Sequence, residues 1–126
     1  MGRGHDRRQP EQPSLLLSQA LLQCAESCER VLQEYVLRLG LSSRHDLCRD
    51  LLPTVATVRT AIDLLDDQSP RRELALQLVD GACRRAATQC RRYGLDESLL
   101  LCAAACDRAI VEIELFLTSL SHDETG

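Results

Sequence analysis

Apolar residues recur along this chain in steps of three and four, the repeat of one face of an α-helix. From Ser14 to Leu39 the seam reads Leu17, Leu21, Cys24, Cys28, Val31 and Tyr35, with Gly40 as the stop and Ser14, after Pro13, as the expected N-cap. A second run opens near Ser42 or Ser43 and carries Cys48, Leu51, Val55, Val58, Ile62 and Leu65 before Asp66, Asp67, Ser69 and Pro70 end it. Pro53 lies inside this run, removes one helical hydrogen bond and predicts a kink or a short break. The third run starts after Pro70, places Leu76, Val79, Cys83, Ala86, Cys90 and Tyr93 on its seam, and stops at Gly94. Asp96 then caps a fourth run bearing Leu99, Cys102, Cys106, Ala109, Ile113, Phe116 and Leu120. Four amphipathic helices with short connections predict an all-α, antiparallel four-helix bundle over residues 14–120, up, down, up, down. Residues 1–13, rich in Gly, Arg, Gln and Pro, read as a disordered arm, and residues 121–126 as a flexible tail.

Composition sharpens this picture in a few places. A chain of 126 residues is one domain with a core of its own. Aromatic residues are 2% of it and Trp is absent, so the core must be Leu, Val, Ile, Ala and Cys, which favours helices over strands. A formal net charge of -4 provides no basic field, so no nucleic-acid partner is expected. No apolar run is long enough to span a bilayer, and no membrane partner is expected either. The apolar stretch from Ser14 to Leu22 is interrupted by Gln19, is followed by no small-x-small cleavage pattern, and continues as amphipathic helix, so it reads as mature helix rather than signal peptide.

The seven cysteines all fall on the predicted seams. An odd number cannot pair completely within one chain, and the spacing lacks the short loops of a secreted disulfide scaffold, so reduced thiols in the cytoplasm are expected. Cys24 with Cys28 and Cys102 with Cys106 form C-x-x-x-C pairs. Counting from the end where the turns at 40–43 and 94–96 lie, Cys48, Cys90 and Cys102 should form an outer layer. Cys28, Cys83 and Cys106 should follow a turn or two deeper, with Cys24 below them and hydrocarbon in the opposite half.

Thiols four apart on a helix have Cβ atoms ~5–6 Å apart, so their sulfurs can approach the ~4 Å that one metal bound at ~2.3 Å to each requires. A disulfide, wanting Cβ atoms near ~3.8 Å, is a poorer match. All-thiolate ligation selects Cu(I), Zn or an iron–sulfur cluster, and the C-x-x-C loop spacing usual for clusters is missing. Zn asks for four ligands at one point, whereas Cu(I) takes two or three and shares them. Neutral thiols are expected without metal, because several bare thiolates in a dry core are too costly, and metal binding would release their protons. His45, near the same end, is either an entry ligand or a solvated histidine at a helix start. There is no Glu-x-x-His, no Gly-rich phosphate loop and no nucleophile placed beside a His, so the chain is not expected to be an enzyme.

The stretch from Cys83 to Cys106, together with Cys24 and Cys28, resembles the copper storage protein family, cysteine-rich four-helix bundles in which each helix repeats C-x-x-x-C-x-x-C-x-x-x-C toward the interior. The resemblance covers Ser14 to Leu120 and implies a ferritin-like, cytosolic or periplasmic, oligomeric bundle that loads Cu(I) along its core. By position, Cys24 and Cys28 fill the first two motif places of helix one, and Val31 and Tyr35 stand in the others. Cys48 fills the first place of helix two, with Leu52, Val55 and Arg59 in the rest. Cys83 and Cys90 match in helix three and Ala86 does not. Cys102 and Cys106 match in helix four, followed by Ala109 and Ile113. About half the family's ligands are therefore absent, which implies a small cluster rather than high-capacity storage. The other reading of the same residues is a structural or interaction bundle in which cysteine serves as a small buried hydrophobe.

Overall fold

The computed structural model describes residues 11–38, 40, 45–93 and 96–125. Helix α1 spans Glu11–Gln33 and ends in a π-helical turn, Glu34–Arg38. Helix α2 spans Asp46–Asp66, α3 spans Arg72–Tyr93 and α4 spans Glu97–Thr125. Among the described residues there is no strand. Each helix packs along its neighbours in sequence, and α1 closes the ring against α4. Neighbours run antiparallel: Tyr35 at the end of α1 bonds Asp96 at the start of α4, and His45 at the start of α2 meets Tyr93 at the end of α3. The up-down-up-down bundle is thus the architecture observed.

Local chemistry accounts for most of the helix ends. Gly40 adopts φ +69°, a left-handed conformation that costs glycine nothing, and its N–H donates to the Val36 carbonyl. Asp96 Oδ1 accepts from the Ser98 N–H at 3.0 Å, the expected N-cap of α4. Ser69 Oγ accepts from the Arg71 N–H, leading Pro70 into α3 as anticipated. Other boundaries differ. Helix α1 begins at Glu11, so Ser14 lies inside it rather than capping it, and Pro13 sits in the first turn, where its missing N–H has no helical partner to lose. Helix α2 is capped by His45, whose Nδ1 accepts from the Leu47 N–H at 3.3 Å, while the expected start at Ser42 or Ser43 falls outside the described residues. It runs through Pro53 without a break, the ring lying on the exposed face. Helix α4 continues past Leu120 to Thr125.

The core stripe of α2 also differs from its predicted seam. Leu47, Cys48, Leu51, Thr54, Val58, Ala61 and Leu65 are buried, so Cys48, Leu51, Val58 and Leu65 of the predicted seam hold, with Val55 and Ile62 only partly buried. The stripe is widened by Leu47, Thr54 and Ala61, each one residue, or about 100° of rotation, from a predicted seam position. It admits Thr54 to the interior because its hydroxyl donates to the Asp50 and Ala82 carbonyls, at 2.6 and 3.3 Å. Leu17, Leu21, Leu65, Leu76, Ile113 and Phe116 fill the half of the core away from the thiols.

Candidate metal centre

All seven cysteines are free thiols with no solvent exposure. Helices α1 and α4 bring four of them face to face. Cys24 Sγ lies 3.7 Å from Cys106 Sγ and 3.7 Å from Cys83 Sγ on α3, and Cys102 Sγ lies 3.6 Å from Cys28 Sγ. The sulfurs of Cys24, Cys83 and Cys106 all lie within 4.8 Å of one another, and so do those of Cys28, Cys102 and Cys106. Cys106 belongs to both trios. Three sulfurs around one ion at ~2.3 Å stand about 4 Å apart, so to take a metal in a trigonal plane the contacts of 3.6 and 3.7 Å need to open by only a few tenths of an ångström, while the remaining pairs lie within 4.8 Å.

Small residues beside the cysteines make this approach possible. Ala25 and Ala103 are buried next to Cys24 and Cys102, and Ser27 and Ala105 are half-buried next to Cys28 and Cys106. Bulkier side chains at these places would hold the two axes apart. The signal was present in the sequence as Ala103-Ala104-Ala105 between two cysteines, but helical periodicity alone does not read residue size.

The expected tiers are displaced. Cys28 stands opposite Cys102 rather than below it, and Cys24 is level with Cys83 and Cys106. The level at which α1 meets the start of α4 is Tyr35, whose hydroxyl donates to Asp96 Oδ2 at 2.9 Å, not Gly40. The π-helical turn overhangs that level, which slides both α1 thiols along the bundle relative to a count made from Gly40.

Cys90 is buried in the same half, near enough to Cys102 for that thiol to shift its pKa, but it joins neither trio. Cys48 joins neither trio and no other thiol perturbs it. It is buried on α2 beside Leu47, away from the two trios. His45 is also outside both trios. Its Nδ1 is engaged as the α2 cap, and its ring tilts against Tyr93 with centroids 4.9 Å apart. Tyr35 is half-buried and Tyr93 exposed at that end of the bundle.

Protons are distributed unevenly over the cluster. Hydrogen bonds from Cys106, Cys28 and Cys83 hold the Cys24 thiol well below its ordinary value of 9.0. Cys106 is pushed down to about 6, chiefly by the hydrogen bond from Cys102. Cys28 is raised by its hydrogen bonds to Cys102, Cys106 and Cys24 together with burial. Cys83 is raised by its hydrogen bonds to Cys106 and Cys24, and Cys90 by its hydrogen bond to Cys102, in each case helped by burial. Burial alone raises Cys48. The Cys24 and Cys106 pair is thus where a proton is lost most readily, one of the two sulfurs accepting from the S–H groups around it, because two thiolates 3.7 Å apart in a dry core repel. A soft cation placed there would exchange those shared protons for metal–sulfur bonds.

A four-helix bundle with chained thiols in its core defines a class: a helical protein whose interior can hold soft metal ions. The copper storage protein family model matches residues 11–116, and the chain belongs to that family. No curated protein and no solved structure matches it at a significant level. No described helix is long and apolar enough to cross a membrane.

Proposed function

We propose that this chain binds Cu(I) through Cys24, Cys28, Cys83, Cys102 and Cys106, as two neighbouring trios that share Cys106, and serves in copper buffering or small-scale storage. The observation that carries this reading is the double membership of Cys106, because a shared thiolate suits a soft monovalent ion that accepts two or three sulfurs. Zinc fits less well. Its structural sites close with four ligands, and each group here offers three. Charge supports the same choice: a few Cu(I) ions on a comparable number of thiolates come close to neutrality, which a buried site requires. Cys48 and Cys90 serve as core packing, and His45 as a helix cap. The role is to bind rather than to catalyse, since the thiols are sealed from solvent and a redox catalyst needs an exposed one. A cytoplasmic location follows from the same requirement for reduced thiols.

The test is titration of the fully reduced protein with Cu(I) against a competing chelator. Stoichiometric uptake that Cys102→Ser with Cys106→Ser abolishes is the expected result. No uptake would leave a structural bundle that has kept the family's fold without its cargo.

A further inference from the structure

The described thiols have no solvent exposure, so an ion bound among them has to cross the packed layer around the core. An open cavity of about 400 Å³ lies along the outer junction of α1 and α4, directly outside the pairs formed by Cys28 with Cys102 and Cys24 with Cys106. We propose that this groove docks a small anionic thiol carrying Cu(I), and that the ion enters the core sideways between α1 and α4. The proposal rests on the Cu(I) reading above and adds to it the carrier and the route.

Three observations carry it. The wall here is built of small side chains, because Ser27 and Ala105 line the cavity and each is the chain neighbour of a cluster cysteine. Ala104 beside them is equally small. The rim is charged in a particular way: Arg30 from α1 and Arg108 from α4 both line the cavity, and neither has an ion pair among the described residues. Arg49, Arg59, Arg84 and Arg91, by contrast, each pair with a carboxylate. Glu26 leaves the lining one positive charge in excess. Finally, contacts stitch the helix ends nearest the thiols. Tyr35 bonds Asp96, Ser98 Oγ donates to Glu34 Oε1 at 3.3 Å, and the His45 ring rests on Tyr93.

The ligand class follows from the chemistry. A soft Cu(I) ion in a thiol-containing solution is held by thiolates, and a bis-thiolate complex is an anion even before the carrier's own carboxylates are counted. Guanidinium groups recognise carboxylates, and the cavity volume falls within the range of small-ligand sites. Transfer is ligand exchange without electron transfer. Each step breaks one copper bond to a carrier sulfur and forms one to a protein sulfur, and the cysteine proton passes to the departing thiolate.

The experiment follows the rate of Cu(I) transfer from its anionic glutathione complex to the reduced full chain, by the ultraviolet absorption of copper–thiolate bonds. Reversing both rim charges, Arg30→Glu with Arg108→Glu, takes the lining from one positive charge in excess to three negative, and should slow uptake about tenfold and invert its salt dependence, with the final stoichiometry unchanged. Ala104→Phe, which fills the groove from an exposed position, should slow it comparably. The double reversal should leave loading from the cationic Cu(I)–acetonitrile complex at least as fast as in the wild type. Arg71→Glu with Arg92→Glu makes the same charge change elsewhere and should alter the rate less than about twofold. Groove variants that load at the wild-type rate, or an equal effect from the Arg71 and Arg92 pair, would overturn the lateral route while leaving Cu(I) binding intact. Failure of the wild type to take Cu(I) from either complex would overturn the binding reading itself.

Discussion

Cys24 and Cys106 are 82 residues apart in the chain and 3.7 Å apart at sulfur. No other thiol joins both trios as Cys106 does, and its contact with Cys24 links the first helix to the last at the middle of the cluster. Its consequences can be separated from those of the other cysteines.

Cys106→Ser removes one ligand from each trio and should therefore abolish or greatly weaken binding of both ions, whereas Cys24→Ser should spare the trio of Cys28, Cys102 and Cys106. Cys48→Ser should leave capacity unchanged. Native mass spectrometry of the loaded variants reads these outcomes directly, and full capacity in Cys106→Ser would contradict the shared-ligand arrangement.

The apo protein should lose stability as pH rises above about 9. Cys28, Cys48, Cys83 and Cys90 have folded-state pKa values raised above the ordinary 9.0. Above 9 the unfolded chain ionises these thiols while the folded chain still holds their protons, so folding binds more protons and stability falls with pH. Cys106, depressed to about 6, has the opposite sign: its contribution is present above 9 and is lost as pH falls through 6. Chemical denaturation across this range measures both, and Cu(I) loading should flatten the alkaline decline of the thiols that become ligands and release protons into a weakly buffered solution.

Pro53→Ala should stabilise the protein by about 2 kcal/mol. Proline in a helix interior costs about 3 kcal/mol relative to alanine, partly offset by its restriction of the unfolded chain. Pro53 is exposed, so the replacement loses no core packing and restores a donor for the Arg49 carbonyl. A rise in Tm of about 5–10 °C is the expected reading, and a fall would show that the ring has a packing role.

Asp96→Ala should cost about 1 kcal/mol through loss of the α4 cap. It also removes the acceptor of the Tyr35 hydroxyl. Burial first, and then Asp96, push the Tyr35 pKa up to about 12, so the variant should move it back toward 10 in an ultraviolet titration. A value unchanged from the wild type would mean that burial alone accounts for the shift.

Much of this was readable before any coordinates. The three-and-four spacing named the buried faces of α1, α3 and α4, and the caps at Gly40 and Asp96 follow from side-chain and backbone chemistry that acts within a few residues. The C-x-x-x-C pairs placed Cys24 with Cys28 and Cys102 with Cys106 on common faces for the same reason: a helix sets its own periodicity.

What the chain could not disclose was how separate helices meet. A helix may turn by one residue about its axis, or slide by four along it, without altering its own hydrogen bonds, and the slide moves a thiol by about 6 Å, more than the width of a metal site. Packing made both choices. Rotation of α2 buried Leu47, Thr54 and Ala61 and left Cys48 outside both trios, while the Tyr35–Asp96 contact set the height of α1 so that Cys28 meets Cys102 and Cys24 meets Cys106. The sequence by itself determined the inward faces of α1, α3 and α4, because apolar periodicity is a local property of each helix. Only the tertiary structure decided which sulfurs touch, because rotation and slide are fixed by contacts between residues far apart in the chain.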